Sequence, residues 1–373
     1  MTARVVGGLA AIAMLAACGD GTGATSGAAD AAEEKVLHVY NWVDYIGPTT
    51  IADFEAKTGI QVVYDTYDSN ELLETKMLTG RSGYDVVFPS AVPLARQVGA
   101  GSMRKLDKSK LPNLAHMDPF AMGHVARNDP GNDHAINYTW GTAGLGYNPA
   151  MVARVLGTDR IDSWAAIFDP AVASKLAKCG IAMIDVPEDT LMIARIYLGL
   201  DPNSQKLEDL AAAEALLKEA RPYIRYFNTS QLVNDLASGE VCVGFSWNGY
   251  ILQARDRGAA AATPVKIEYA VPREGSFIWF DTVAIPADAP HPDNAHAFLN
   301  YLMEPEVIAK VSNHIGYANG NLASLPFLEA RVRDDPAVYP AEETRLKLQP
   351  DTAESPSYIR EASRAWTRIK TGQ

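Results

Sequence analysis

Several short stretches of this chain set an aromatic ring close to an acidic or polar side chain. Trp42 stands two residues before Asp44, Trp279 two before Asp281, and Trp247 three before Tyr250. A further turn after Asp185 carries Glu188 and Asp189, and Ser90 places a hydroxyl after another apolar run. The faces of Trp and Tyr attract a cation through the ring quadrupole. A carboxylate beside them adds a charge-assisted hydrogen bond. No catalytic fold predicts this repetition, whereas a cage for an organic cation does.

The motifs of common enzymes do not occur. There is no G-x-x-x-x-G-K-[ST], no H-E-x-x-H and no G-x-G-x-x-G. Gly244-Phe245-Ser246-Trp247-Asn248 lacks the closing glycine of a nucleophile elbow. The seven histidines are scattered, and His291 and His296, five apart, do not share a helical face. No Cys/His group has metal-ligand spacing. The expectation is therefore a protein that is not an enzyme and needs no cofactor and no metal.

The elements that must hold these residues alternate. Val36 to Tyr40, Ile60 to Tyr64 and Tyr84 to Ser90 read as strands. The spacing predicts a helix from Pro48 to Lys57, stopped by Gly59, and a helix capped within Asp68-Ser69-Asn70. Further strands are expected over Ile181 to Asp185, Val241 to Phe245 and Ser276 to Asp281. Alternating strands and helices imply a parallel sheet covered on both faces. Such sheets bind ligands outside the carboxyl ends of their strands. Trp42, Asp44 and Ser90, and the residues following the later strands, are then the candidate site.

The chain has 373 residues, 47% of them apolar and 21% charged, enough for two lobes with cores of their own. A net charge of −12 argues against nucleic acid, which needs a basic face, and favours cations. Residues 1–17 form a short apolar leader with one early Arg, ending in Leu15-Ala16-Ala17 before Cys18. Small residues before a cysteine are what a lipoprotein signal peptidase requires, so Cys18 is the expected lipidation site; a plain signal peptide is the alternative. Residues 18–34 open with a stretch free of large apolar side chains and read as a flexible tether. Cys179 and Cys242 remain, an even pair that in an oxidising compartment reads as a disulfide rather than two separate thiols.

Tyr40-Asn41-Trp42-Val43-Asp44-Tyr45-Ile46 resembles the opening of the periplasmic polyamine-binding proteins of ABC transporters. The resemblance continues through Asp68-Ser69-Asn70-Glu71, Tyr84 to Ser90, Gly144 to Asn148, Ile224 to Phe227, Glu268 to Asp281, Phe298 to Leu302, Gly316-Tyr317-Ala318-Asn319 and Arg364 to Thr367. It therefore runs in order along nearly the whole chain after the tether.

The resemblance implies a type II periplasmic-binding fold of two α/β lobes, each a mixed, mainly parallel sheet flanked by helices, with the ligand cleft between them. The expected lobes are residues 36–139 plus 282–319, and residues 140–281 plus 320–373. It also implies the Cys179–Cys242 bridge and a cage of Trp42, Asp44, Ser90, Asp189, Trp247, Trp279, Asp281 and Tyr317. Alignment leaves Glu188 and Asp189 interchangeable by one residue, with Asp189 favoured. The implied function is capture of spermidine or putrescine by a lipid-anchored, monomeric periplasmic protein that delivers it to an inner-membrane ABC permease. A sensing lipoprotein on the same scaffold and a binder of another organic amine are the alternatives. One departure bears on the ligand. Tyr250 stands where the putrescine branch carries an acid, and this predicts a preference for the longer spermidine.

Overall fold

The computed structural model describes residues 33–372. Its first strand, β1 (Val36–Trp42), alternates strictly in burial, with Leu37, Val39 and Asn41 turned inward. β1 lies between β2 (Gln61–Tyr67) and β3 (Val86–Val87), parallel to both. The helix Thr50–Thr58 joins β1 to β2 and ends on Gly59, whose φ of 72° is the left-handed conformation glycine takes without cost. The helix Asn70–Thr79 is capped by Ser69, whose hydroxyl accepts from the Leu72 N–H.

Two long strands dominate the centre. β4 (Ala135–Tyr147) is buried along its whole length. β5 (Ile181–Met183) and β6 (Ile224–Phe227) pair parallel, and β5 also runs parallel to β7 (Val243–Trp247). β8 (Glu268–Ala270) follows, then β9 (Ser276–Ala284). β10 (Ala318–Asn319) pairs with β4, and β11 (Leu348–Pro350) runs parallel to β9. The first part of β4 pairs antiparallel with β9, and its last five residues, Ala143 to Tyr147, pair antiparallel with β7. β9 in turn meets β3 at Val87–Ala284. The sheet is thus mixed. Parallel strands flank it at either end and antiparallel strands join them through the middle.

Two large cores form on this frame. One gathers Leu37, Phe54, Phe88, Tyr138, Val283 and Phe298; the other gathers Leu145, Trp164, Ile181, Phe245, Phe277 and Trp366. A smaller cluster around Trp140, Ile278 and Phe280 lies along the joining strands. The Cys179–Cys242 disulfide is formed, with its Cα atoms 5.5 Å apart.

Several elements differ from the sequence expectation. The strand expected over Tyr84 to Ser90 is reduced to Val86–Val87. Pro89 has no N–H to give a ladder. Its carbonyl instead accepts from Thr282 N and Oγ1, while the Phe88 carbonyl accepts from Trp42 Nε1 and Tyr67 OH. The strand expected over Ser276 to Asp281 runs on to Ala284, so Asp281 lies inside β9 rather than at its end, because Val283 and Ala284 continue the pairing to Ile136 and Ala135. The later strands end at Met183 and Trp247 rather than at Asp185 and Phe245. Asp185 itself accepts from Trp366 Nε1 and Lys370, away from the candidate cage.

Candidate ligand-binding site

Asp281 is the anchor of the site. It is 8% exposed, and Ser90 Oγ donates to its Oδ1 at 2.6 Å while Tyr45 OH donates to its Oδ2 at 2.8 Å. The Thr139 hydroxyl lies 2.6 Å from Tyr45 OH. Ser90 is itself held by Asn70, whose amide nitrogen donates to Ser90 Oγ at 3.1 Å. Burial pushes the Asp281 carboxyl up to about 6, with the Ser90 and Tyr45 hydrogen bonds opposing the shift. Among the described residues no Lys, Arg or His pairs with it. A buried carboxylate without a cation is costly, and here two hydroxyl donors supply only part of what water would.

Aromatic faces surround this group. The Tyr317 and Trp279 rings meet edge to face at 4.9 Å, and Tyr317 also meets Tyr45 at 5.8 Å. Trp42, the last residue of β1, donates from Nε1 to the Phe88 carbonyl at 2.9 Å and packs on Tyr67 at 4.7 Å. Trp279 is half-buried, touches both large cores, and has its Nε1 buried without an acceptor. Glycines make the close approach possible. A Cβ on Gly249 would lie 2.1 Å from Tyr317 Cζ, and one on Gly141 would lie 2.4 Å from Trp279 Cζ2.

The second group sits on the helices Pro187–Tyr197 and Asn248–Ala260 and at the end of β7, where Trp247 stands. Trp247 Nε1 donates to Asp189 Oδ2 at 2.8 Å, and Tyr250 packs edge-on against Trp247 at 5.4 Å. Asp189 is thereby committed to orienting the indole, and Glu188 is exposed beside it with no side-chain partner. Burial raises the Asp189 carboxyl strongly, and the charge of Glu188 adds to the effect. Asp44 takes a φ of 55°, a left-handed conformation Asp tolerates, and is exposed. Its charge adds to the effect of burial in raising the Tyr250 phenol.

The structure therefore gathers Ser90, Trp279, Asp281 and Tyr317 into one contact set and Asp189, Trp247 and Tyr250 into another. Trp42 meets Phe88 and Tyr67 beside the first, and the charge of Asp44 acts on Tyr250 of the second. Sequence reasoning passed over Tyr45 and Asn70, which position Asp281 and Ser90, and over Gly249. It also passed over Asp351, whose carboxyl burial pushes up to about 7 with Asp281 and Glu188 adding to the effect. Tyr45 and Asn70 carried a signal, since both lie within the stretches that carry the resemblance. Asp351 carried none, because β11 is three residues long and ends in proline. The described residues hold no group of His, Cys, Asp and Glu suited to a metal ion. A cavity lined by Met117, Asn137 and Tyr138 lies near this region but contains none of the cage aromatics. Aromatic faces and cation-free carboxylates together can hold an organic ammonium group.

The chain belongs to the bacterial extracellular solute-binding protein family, whose model matches residues 49–341. It is 46% identical to the putrescine-binding periplasmic protein PotF of Escherichia coli, over 92% of this chain and 93% of that protein. It is 46% identical to the putrescine-binding periplasmic protein SpuD of Pseudomonas aeruginosa, over 94% and 96%. Among solved structures, the spermidine/putrescine ABC transporter substrate-binding protein PotD of Streptococcus pneumoniae superposes with a TM-score of 0.79 at 28% identity. That match covers 91% of this chain and 99% of the other. The fold is accordingly the two-lobed periplasmic-binding architecture.

Proposed function

We propose that this protein captures a linear polyamine, putrescine or spermidine, in the periplasm and delivers it to an ABC importer. The observation that carries the reading is Asp281, a buried carboxylate with two hydroxyl donors, no cation partner among the described residues, and the faces of Trp279 and Tyr317 around it. Each ammonium–ring contact contributes about 0.5–2 kcal/mol. Each methylene of the ligand buried against a ring adds about 0.8 kcal/mol. The names of PotF, SpuD and PotD support the same ligand class. Within this reading Trp42, Asp44, Ser90, Asp189, Trp247, Tyr250, Trp279, Asp281 and Tyr317 line the ligand, with Glu188 at one end. The lobes are residues 36–139 plus 282–319 and residues 140–281 plus 320–373, a division that follows the two large cores. Cys18, outside the described residues, holds a monomer to the membrane through its lipid. A thermal-shift panel of putrescine, spermidine, spermine, cadaverine, agmatine, lysine and γ-aminobutyrate on ligand-stripped protein tests the reading. Stabilisation by the polyamines and not by the zwitterions is expected; no shift with any polyamine overturns it.

A further inference from the structure

We propose that Asn248 is a positioning residue for ligand capture: its buried side-chain oxygen is the acceptor to which the Trp279 indole N–H turns when a ligand presses on that ring. The inference rests on the polyamine reading above, in which Trp279 is a wall of the cage.

Asn248 follows Trp247 directly, opens the helix Asn248–Ala260, and is fully buried. Its Nδ2 donates to the Ala337 carbonyl at 2.8 Å, and its Oδ1 accepts from the Thr142 N–H at 3.2 Å. A carbonyl can only accept and a backbone N–H can only donate, so these two partners fix which end of the amide is oxygen. The contact falls where β4 changes partner: Thr142 pairs with Ile278 of β9, and Ala143 pairs with Trp247 of β7.

Gly141 lies opposite Trp279 in the ladder between β4 and β9. A Cβ on Gly141 would meet Trp279 Cζ2 at 2.4 Å, Asn248 Oδ1 at 2.6 Å and Trp279 Cε2 at 2.9 Å. The amide oxygen and the indole edge therefore share one notch that only a glycine leaves open. Cε2 is bonded to Nε1, and that N–H is buried without an acceptor. Thr142 takes one of the two lone pairs of Oδ1, and among the described residues no other donor bonds it. A buried N–H without a partner is costly, and a turn of the ring toward Oδ1 relieves it. The edge-to-face contact with Tyr317 at 4.9 Å opposes that turn, and a ligand seated on the indole face replaces it. The bond then formed adds to affinity and holds the ring against the ligand.

The test is proton–nitrogen NMR of the tryptophan indoles of the full chain, refolded free of ligand, together with titration calorimetry of putrescine and spermidine. Trp279→Phe assigns the Trp279 indole signal, which should move downfield as putrescine saturates the natural protein. Asn248→Ala is expected to abolish that movement and to weaken both amines about tenfold. In a Trp279→Phe background the same change should weaken them by less than about twofold, since the donor is already gone. Asn248→Asp keeps an oxygen at the same place and should retain the downfield movement. Melting curves show which variants are folded, and the signal of the natural protein decides the matter if Asn248→Ala is not. An indole signal that does not move downfield on binding, or an Asn248→Ala loss equal in the two backgrounds, overturns the inference and leaves the polyamine reading standing. If neither amine binds the natural protein, that reading falls and the inference with it.

Discussion

Ser90 and Asp281 form an isolated antiparallel bridge, and across it the Ser90 hydroxyl donates 2.6 Å to the Asp281 carboxylate. Two segments 191 residues apart in the chain are thereby fixed at one point, with the donor on one and the charge on the other. Replacing Asp281 by Asn should weaken polyamine binding by more than about tenfold, because the bound ammonium loses its ionic partner. The free protein should not lose stability, since a cation-free buried carboxylate is removed along with the pairing. Titration calorimetry and a melting curve on the same variant check both halves.

The pH dependence follows from the same group. In the folded free protein Asp281 titrates at about 6, above the ordinary carboxyl value of 3.8. The folded state therefore binds the proton more tightly than the unfolded chain, and this contributes stability that is present at low pH and lost as pH rises through about 6. Ligand affinity should move the opposite way, increasing from pH 5 to 7 while the amines stay protonated. Glu214, held down at about 2 by Arg368, lies below this window and does not interfere. Affinity that stays flat across pH 5 to 7 would remove Asp281 from the site.

Gly249→Ala offers a test at a distance from any charge. The added methyl would sit 2.1 Å from Tyr317 Cζ, so the ring must shift away. Overpacking costs about 1–3 kcal/mol, against a gain of up to about 1 kcal/mol from the better helix former. A modest fall in melting temperature with a clear loss of ligand affinity is expected. Normal affinity in a folded variant would show that Tyr317 does not touch the ligand.

The Cys179–Cys242 bridge spans 63 residues of the chain. Titration of the denatured, unreduced protein, isolated from the periplasm and truncated after Cys18, should find no free thiol. Exchanging both cysteines for alanine should cost roughly 2–4 kcal/mol of stability. Polyamine affinity in the folded fraction should survive, because neither sulfur approaches the cage. Two reactive thiols in that material would contradict the bridge.

Tyr250→Asp places a carboxylate near Asp44 and against Trp247. Putrescine affinity should rise relative to spermidine, since a short diamine gains a second acid within its reach. An unchanged putrescine affinity would show that this corner does not read ligand length.

Much of this site could be read from the sequence because its residues cluster at chain reversals that α/β alternation locates. Trp42 and Ser90 fall near the ends of strands whose β-branched runs are plain. Trp279 and Asp281 were identified on a strand that was expected to stop at the charge, because nothing in a local pattern shows that β9 continues to pair with β4 past it. The choice between Glu188 and Asp189 depends on which carboxylate the Trp247 indole reaches, a contact across 58 residues. Gly249 against Tyr317 is likewise a meeting of distant segments, and a lone glycine in a helix does not announce its partner. A strand of three residues such as β11 has too few residues for a period to form.

Trp279 packs against both large cores, and its Nε1–H is buried without an acceptor. An indole in that position reports optically on its surroundings. Any rotation of one core against the other changes the polarity around it, so the intrinsic emission of the protein should change when ligand binds. Of the six tryptophans in the chain, this one should dominate the signal, and Trp279→Phe should silence it. The unlabelled protein is then its own fluorescent sensor for whatever cation closes it.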